Sequence, residues 1–387
     1  MNVKKPKVML VCGARPNFMK IAPVMAAIRK SGGLQPFLVH TGQHYDEKMS
    51  KSFFDVLGIP HPDVDLGVGS GSHAEQTAKI MVEFEKICLR EKPDMVVVVG
   101  DVNSTMACAI VAKKLWIWAA HVEAGLRSWD LKMPEEINRM VTDSICDLFF
   151  TTEPEGNENL KRAGVAPDRI VYAGNVMIDT LLQNRAAAER NPILEEVGAK
   201  KGEYCLLTMH RPSNVDDRDT FGRLLDAIGK IQERIRVVFP AHPRTLSMIS
   251  KHGFDDKVKA MKNVVFRDPT DYHQTLKLNA NSRFVLTDSG GLQEETTALG
   301  IPCITMRENT ERPVTAAIGT NEVVGTSSEK ILDAVDRILA GKWKKGAIPE
   351  GWDGKASERI VAAIEKFLAA PPTHASASMP AAAGKVL

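Results

Sequence analysis

The sequence has few of the features that mark several large classes of protein. Its six cysteines are scattered along 387 residues without a Cys-x-x-Cys pair, which argues against a zinc site or a disulfide framework. No apolar run reaches the roughly 18 residues of a transmembrane helix, and the run at 8–12 is too short for a signal peptide. A formal net charge of +2 gives no support to binding nucleic acid or membranes through bulk charge. These absences predict a soluble, cytoplasmic protein with no nucleic-acid or membrane partner.

The sequence does contain a regular alternation of strand-like and helix-like segments. Apolar, β-rich runs fall at 8–12, 37–41, 95–100, 119–123 and 148–152, and again at 204–208, 237–240, 264–267, 284–287 and 302–306. Amphipathic segments of helical length separate them, which is typical of parallel sheets covered by helices on both faces. Because the pattern restarts and the chain is too long for one comfortable core, we predict an α/β protein of two doubly wound, Rossmann-like domains facing a cleft.

The predicted domains are residues 1–175 and 176–370. A helix at 357–369 is expected to pack back on the first domain. The tail, 371–387, is rich in Ala, Pro and Ser, and we predict that it is disordered.

A glycine turn in the second half is the most specific local signal. Ser289, Gly290 and Gly291 follow an apolar strand and open a helix, so backbone N–H groups and the helix dipole converge where an anion can approach closely. Glu295 follows one helical turn later, within reach of a sugar hydroxyl beside that anion. The pattern favours a nucleotide diphosphate with its ribose, although a strand–helix turn without a ligand remains an alternative.

Two cations follow the first strand. Arg15 and Lys20 flank a proline at the start of a helix, where they suit a phosphate or a developing anion. A capped helix with solvated charges is the alternative. In the second half, His210 directly follows the strand at 204–208 and precedes Arg211, which favours a functional role over a structural one.

Carboxylates follow two further strands and a loop. Asp101 and Glu123 stand at strand ends, and Glu135 lies in the first turn of a helix that begins with proline. We expect the three to converge on one cleft, where like charges raise the pKa of one carboxyl and set a proton donor beside a base. The neighbouring Glu136 is interpreted as a surface charge that stabilises the helix dipole.

Seven motifs in order and in register resemble one family. They are Gly13-Ala14-Arg15-Pro16, Gly100-Asp101, His121-Val122-Glu123-Ala124-Gly125-Leu126-Arg127, Pro134-Glu135-Glu136-x-Asn138-Arg139, His210-Arg211, Asp288-Ser289-Gly290-Gly291 and Glu311-Arg312-Pro313. From about residue 7 to residue 368 the chain resembles the non-hydrolysing UDP-N-acetylglucosamine 2-epimerases. The resemblance implies a glycosyltransferase-B-like fold, a homodimer, no cofactor and no metal. It also implies reversible conversion of UDP-GlcNAc to UDP-ManNAc by anti elimination of UDP to 2-acetamidoglucal, followed by re-addition.

The resemblance also implies roles for individual residues. The catalytic set is Asp101, Glu123, Glu135 and His210, and the substrate-binding set is Arg15, Lys20, Arg139, Ser289, Gly290, Gly291, Glu295 and Arg312. Asp101 and Glu135 are expected to be closest to the proton transfer, with Glu123 tuning or sharing it. His210 and the glycine amides are expected to stabilise the leaving diphosphate. Glu295 corresponds to the ribose ligand and Arg312 to a sugar-facing arginine, and Arg139 is expected to orient Glu135 or the sugar.

Two departures from the family pattern bear on regulation. Several bacterial members are activated by a second UDP-GlcNAc, and here Gln43 and Arg211 match the activator site whereas Asp46 and Ser213 do not. We therefore predict weak or absent activation. Two alternative functions remain open: a 2-epimerase for another UDP-sugar, such as a UDP-diacetamido uronic acid, and a UDP-sugar transferase of the glycosyltransferase-B type.

Overall fold

The architecture is described from a computed structural model that defines residues 5–43 and 57–371. The chain divides into two compact units, one made of Met1–Thr180 with Glu350–Leu387 and the other of Leu181–Pro349. The tail that was predicted to be disordered falls almost wholly within 372–387. The segment compared above with the activator site, His44 to Asp46, falls within 44–56. Those predictions therefore lie outside the described residues.

The first unit is built on a parallel sheet. Its strands are β1 (Lys7–Cys12), β2 (Gln35–His40), β3 (Val64–Asp65), β4 (Met95–Val99), β5 (Trp118–Val122), β6 (Leu148–Thr151) and β7 (Ile170–Tyr172), in the spatial order β3-β2-β1-β4-β5-β6-β7. All five residues of β4 are buried, because helices cover both faces of a parallel sheet. The helices are α1 (Arg15–Ser31), α2 (His73–Glu91), α3 (Asn103–Lys114), α4 (Pro134–Ile145), α5 (Pro154–Arg162) and α6 (Val176–Glu189).

The second unit repeats the design with a shorter sheet. Its strands are β8 (Tyr204–Thr208), β9 (Arg236–Pro240), β10 (Val264–Arg267), β11 (Phe284–Thr287), β12 (Cys303–Thr305) and β13 (Asn321–Val323), in the order β10-β9-β8-β11-β12-β13. The helices are α7 (Ile193–Glu196), α8 (Pro212–Val215), α9 (Arg218–Gln232), α10 (Pro243–Lys251), α11 (Asp255–Lys259), α12 (Tyr272–Asn281), α13 (Gly290–Leu299), α14 (Pro313–Ala317) and α15 (Ser328–Leu339). Every strand pair in this sheet is parallel.

The last helix, α16 (Ala356–Ala369), belongs to the first unit and packs on α1. Its N-terminus is held by Asp179 of α6, which accepts hydrogen bonds from the amides of Ala356 (3.1 Å) and Ser357 (2.7 Å). A buried carboxylate thus satisfies amides that the first helical turn leaves unpaired. The chain crosses from the first unit to the second inside α6.

Two doubly wound parallel sheets confirm the predicted fold class. The sequence analysis did not predict β3, β7 and β13. These are edge strands of only two or three residues, which are too short to show a pattern of apolar residues. The strand predicted at 95–100 ends one residue earlier because Gly100 turns the chain with φ of +67°. None of the described helices is long and apolar enough to cross a membrane.

Candidate active site

The ends of β4 and β5 bring two of the predicted carboxylates to the same edge of the first sheet. Val99 pairs with Val122, so Asp101 and Glu123 follow neighbouring strands at the same level. A Cβ on Gly100 would lie 2.8 Å from Lys20 Nζ and 3.2 Å from Glu123 Oε2. Only glycine fits this approach, and Glu123 itself adopts a positive φ of +72°, which is uncommon outside glycine.

Lys20 forms a buried ion pair with Glu123. The helix that carries it is anchored by Asn17, which donates to the carbonyl of Val99 at 2.9 Å and thereby ties α1 to the end of β4. Lys20, the cation predicted to meet a phosphate, is therefore in contact with one of the three predicted carboxylates, Glu123. Arg15 is the first residue of α1, and its side chain lies outside the described part of the chain.

Asp101 is paired with Arg139 of α4, at 2.5 Å between Oδ2 and Nη1. The same guanidinium contacts Glu136, through Nε at 3.0 Å and Nη2 at 2.5 Å. Arg139 therefore contacts Asp101 and Glu136, while its predicted role in orienting Glu135 or the sugar stays a prediction. The three predicted carboxylates were expected to be crowded by like charge, but Asp101 and Glu123 each lie against a cation.

Glu136 was wrongly interpreted as a surface charge. Its side chain is fully buried and accepts hydrogen bonds from the amides of Ser128 (2.9 Å) and Trp129 (3.1 Å). Burial opposes ionisation, but the Ser128 amide and the Arg139 guanidinium outweigh it and hold the pKa of Glu136 below its usual range. Glu136 therefore fixes the loop before α4 and the arginine that contacts Asp101.

Glu135 lies beside Glu136 in the first turn of α4 and is half-buried. That turn is held near Asp101 because Asn138, three residues later, donates to the Asp101 carbonyl at 2.9 Å. Glu135 is thus presented on a helix that two side chains attach to the Asp101 turn. Rigid attachment of this kind is what a proton-transferring group requires.

In the second unit, His210 and Asp288 follow the neighbouring strands β8 and β11. Nδ1 of His210 lies 2.9 Å from Asp288 Oδ1, and the amides of His210 and Arg211 each donate to Oδ2 at 2.8 Å. Burial opposes ionisation of Asp288, but these contacts outweigh it and lower its pKa. With Nδ1 occupied by the carboxylate, Nε2 of the partly exposed ring is the atom available to a ligand.

The predicted anion-binding turn opens α13. Ser289 is the extended N-cap residue and its side chain caps no amide of the helix, so the first-turn amides are left for another acceptor. A Cβ on Gly290 would lie 2.7 Å from the buried carboxylate of Glu311, which explains the glycine there. Gly291 is the next residue of the same turn.

Glu295 lies buried on α13, with Asn279 donating to Oε2 at 3.1 Å. Burial, followed by the charge of the Glu295 carboxylate, raises the pKa of Tyr272 well above its usual range. The Asn279 amide is a hydrogen-bond donor that helps to hold this carboxylate in one orientation. Arg312 is likewise buried, with Nε 2.8 Å from Glu294 Oε1.

The sequence missed a cavity of about 450 Å³ at the carboxyl end of β10. Phe266, Pro269, Thr270 and Gln274 are among its lining residues. In doubly wound sheets ligands bind beyond the carboxyl ends of strands, so this cavity lies at an edge of the sheet where a ligand can bind. Its lining includes the neighbouring charges Arg267 and Asp268, which the sequence analysis did not single out. The sequence analysis quoted Asp288 in a motif but gave it no role, although its place directly after β11 and before the glycine turn could have indicated one.

The described residues offer little for a metal ion. No group of three or more His, Cys, Asp or Glu side chains among them is arranged to hold one. All six cysteines are buried and free. The groups that the described part of the site does offer are carboxylates paired with cations, a histidine and backbone amides.

Comparison with known proteins identifies the family. The family model described as UDP-N-acetylglucosamine 2-epimerase matches residues 26–365. The chain is 43% identical over 365 residues to the UDP-N-acetylglucosamine 2-epimerase of Methanocaldococcus jannaschii, covering 92% of this chain and 98% of that protein. It is 38% identical over 364 residues to the UDP-2,3-diacetamido-2,3-dideoxy-D-glucuronate 2-epimerase of Pseudomonas aeruginosa, covering 93% and 100%.

A solved structure agrees with the sequence relatives. The crystal structure of the Methanocaldococcus jannaschii UDP-GlcNAc 2-epimerase, in complex with UDP-GlcNAc and UDP, superposes with a TM-score of 0.85 at 41% identity, covering 93% of this chain and 99% of that one. These findings confirm the resemblance seen in the motifs and the prediction of an isomerase. The chain belongs to the UDP-N-acetylglucosamine 2-epimerase family.

Proposed function

We propose that the protein interconverts UDP-GlcNAc and UDP-ManNAc by eliminating UDP and adding it back. Family membership supports this, as does the relative of known structure that holds UDP-GlcNAc and UDP in one complex. The observation that carries the proposal is the pairing of Asp101 and Glu123 with Arg139 and Lys20 at the ends of β4 and β5. Such a cluster supplies carboxylates for proton transfer that are held in place by buried cations.

We assign binding of the diphosphate to the second unit. The first-turn amides of α13, at Gly290 and Gly291, and Nε2 of His210 are hydrogen-bond donors beyond the ends of β11 and β8. Glu295, oriented by Asn279, accepts hydrogen bonds from the ribose hydroxyls, and the cavity at the end of β10 takes the base. Ser289, Arg15 and Arg312 complete the proposed contacts to phosphate and sugar.

We assign the proton chemistry to the first unit. In the elimination, a carboxylate removes the C2 proton while the C1–O bond breaks and its electron pair leaves with UDP, forming the C1–C2 double bond of 2-acetamidoglucal. In the return, UDP attacks C1 and a second acid delivers a proton to the opposite face of C2. One group cannot easily serve both faces, which is why Asp101 and Glu135 are assigned to proton transfer and Glu123, paired with Lys20, to tuning it.

The test is an NMR time course of UDP-GlcNAc incubated with the protein in D2O. We expect UDP-ManNAc to appear with deuterium at C2, together with slow release of UDP and 2-acetamidoglucal. The variants Asp101→Asn and Glu135→Gln should abolish this exchange, whereas Glu155→Gln, an exposed first-turn glutamate of α5, should not change it. Binding of UDP-GlcNAc without epimerisation or C2 exchange would contradict the proposal.

A second substrate is favoured by one of the relatives. The Pseudomonas aeruginosa protein acts, by its name, on UDP-2,3-diacetamido-2,3-dideoxy-D-glucuronate. The match to it covers 93% of this chain. The same carboxylates would serve either sugar, since both are epimerised at C2. Assays of the two UDP-sugars in parallel distinguish the two substrates. A higher kcat/KM for the diacetamido uronate than for UDP-GlcNAc would make the uronate the preferred substrate.

We also propose that the protein is a homodimer. Val82 and Leu89 lie seven residues apart on α2 and are exposed, and Ile137 and Met140 are exposed on one side of α4. Both helices pack against α3, so these apolar residues lie on neighbouring helices of one layer. Light scattering should give twice the mass of one chain, and the Leu89→Glu substitution should reduce the measured mass.

We propose the cytoplasm as the compartment. The six buried, free cysteines suit its reducing conditions.

A further inference from the structure

His121 lies at the centre of a buried ionic cluster in the first unit. It stands on β5 with no exposed surface, and Nε2 is 2.8 Å from the Gly100 carbonyl oxygen. Nδ1 is 2.7 Å from Asp143 Oδ1 on α4. The other carboxylate oxygen of Asp143 accepts from Arg127 Nη1 at 2.6 Å and from the Gly125 amide at 3.1 Å.

The contacts define where the protons of the ring are. A backbone carbonyl is only an acceptor, so Nε2 must carry a proton. Arg127 Nη1 and the Gly125 amide both donate to Asp143, and these donors favour its ionised form. An ionised carboxylate is also only an acceptor, and Nδ1 must therefore carry a proton as well. Of the described charged groups, Asp143 from α4 and Arg127 from the preceding loop are the ones in contact with this ring or its carboxylate partner.

We propose that His121 is a buried, doubly protonated imidazolium that positions Asp101 and Glu123, the carboxylates that follow β4 and β5. This inference rests on the proposed function, since it concerns the groups assigned to that reaction. The carbonyl of Gly100 and the amide of Asp101 share one rigid peptide plane, so the hydrogen bond from Nε2 fixes the backbone that enters Asp101. His121 is a positioning residue and touches no substrate atom.

The same cluster holds the backbone beyond Glu123. Asp143 binds the amide of Gly125, two residues after Glu123, and the imidazolium keeps that carboxylate in place. The turns of both Asp101 and Glu123 are therefore attached to one ring.

The first test is spectroscopic and uses the unmodified protein. With ¹⁵N-labelled histidine, two-bond ¹⁵N–¹H correlation spectra report the protonation of each ring nitrogen, and the His121 signals are those lost in His121→Gln. We expect both nitrogens of His121 to be protonated at neutral pH. A spectrum with one protonated nitrogen would overturn the proposal whether or not the protein is an active epimerase.

The second test separates positioning from substrate binding. His121→Gln keeps a donor to the Gly100 carbonyl but loses the cation and the second contact. We expect kcat to fall about 10–100-fold with KM nearly unchanged, since a small misplacement of a reacting group costs rate rather than binding. His61→Gln, on an exposed surface, is the control and should change neither constant.

Unchanged kcat in a folded His121→Gln variant would refute the positioning role. If that variant does not fold, Asp143→Asn provides the same kinetic comparison, with the same expected loss of kcat and the same refuting outcome. Wild-type protein that fails to epimerise would instead refute the proposed function and leave the spectroscopic result standing.

Discussion

The substitution Glu136→Gln tests the connection between the loop at residues 126–133 and Asp101. The glutamine has the same shape but carries no charge, and its amide nitrogen is a donor. In the native protein the two oxygens of Glu136 accept from Ser128, Trp129 and Arg139, so every neighbour is a donor. The substitution therefore removes the negative charge opposite the buried guanidinium of Arg139. It also places the amide nitrogen of the glutamine against groups that are themselves hydrogen-bond donors.

The expected cost follows from burial. Removing one partner of a buried ion pair costs about 3–5 kcal/mol. We expect the lower end, about 3 kcal/mol, because Arg139 keeps its contact with Asp101 and the glutamine oxygen still accepts. For a unit of this size, 1 kcal/mol corresponds to a change in Tm of about 2–4 °C, so the Tm of the first unit should fall by about 6–12 °C.

The assay is thermal unfolding followed by calorimetry, with Glu155→Gln as the matched control. Glu155 also lies in the first turn of a helix that begins with proline, but it is exposed. Glu155 lies in the first turn, where the helix dipole stabilises an exposed negative charge by about 1 kcal/mol at most. Equal, small losses of stability in both variants would refute the buried role of Glu136. A drop in kcat is expected only for Glu136→Gln, because Arg139 loses part of its support.

The pH dependence of this difference has a definite sign. The folded-state pKa of Glu136 is lowered, so its ionised form contributes stability above the unfolded-state pKa of about 4.3, and that contribution is lost as pH falls through the folded-state pKa. The gap in Tm between wild type and Glu136→Gln should be full at neutral pH and should shrink below about pH 4. A gap that is constant across this range would contradict the argument.

Three further predictions follow from the site. Lys20→Met removes the ammonium beside the buried Glu123 carboxylate and should lower kcat at least about tenfold, with a loss of stability of about 3 kcal/mol; unchanged steady-state kinetics would contradict this. Asp288→Asn weakens the hold on His210 and should reduce the affinity for UDP about tenfold in calorimetric titrations, and equal affinity would argue against the assigned role. Initial rates should depend hyperbolically on UDP-GlcNAc, because the activator motifs depart from the family pattern, and a sigmoidal curve would overturn that expectation.

The fold was largely predictable because its signals are local. Buried parallel strands appear as short apolar runs, and the groups at their carboxyl ends share an edge whatever the distance between them in the sequence. Asp101, Glu123 and His210 were found in this way, since each directly follows such a run. The edge strands β3 and β13 were not, because two or three residues carry no pattern.

The partners of the site residues were not predictable in the same way. Glu136 has the local signature of a dipole-stabilising surface charge, and only the loop folded over it makes it an internal acceptor. Asp143 lies near the end of a helix, and its role depends on a histidine 22 residues earlier in the chain. The position of a charged residue in the sequence indicates the edge of the sheet on which it lies. How deeply its side chain is buried, and which group it contacts, depend on packing between helices, strands and loops.

Asp143 and Asp288 are both buried carboxylates that hold a loop in place. Each is buried, each accepts backbone amides of a loop that carries reactive residues, and each contacts a histidine ring. A carboxylate in this setting cannot exchange protons freely, because its oxygens are occupied by donors that favour the charged form. Such groups hold the loops still, so that the neighbouring groups proposed to meet the substrate, Asp101 and His210, are kept in a fixed geometry. The acids that hold a loop and the acid proposed to react are therefore distinguished by what surrounds them rather than by their place at a strand end.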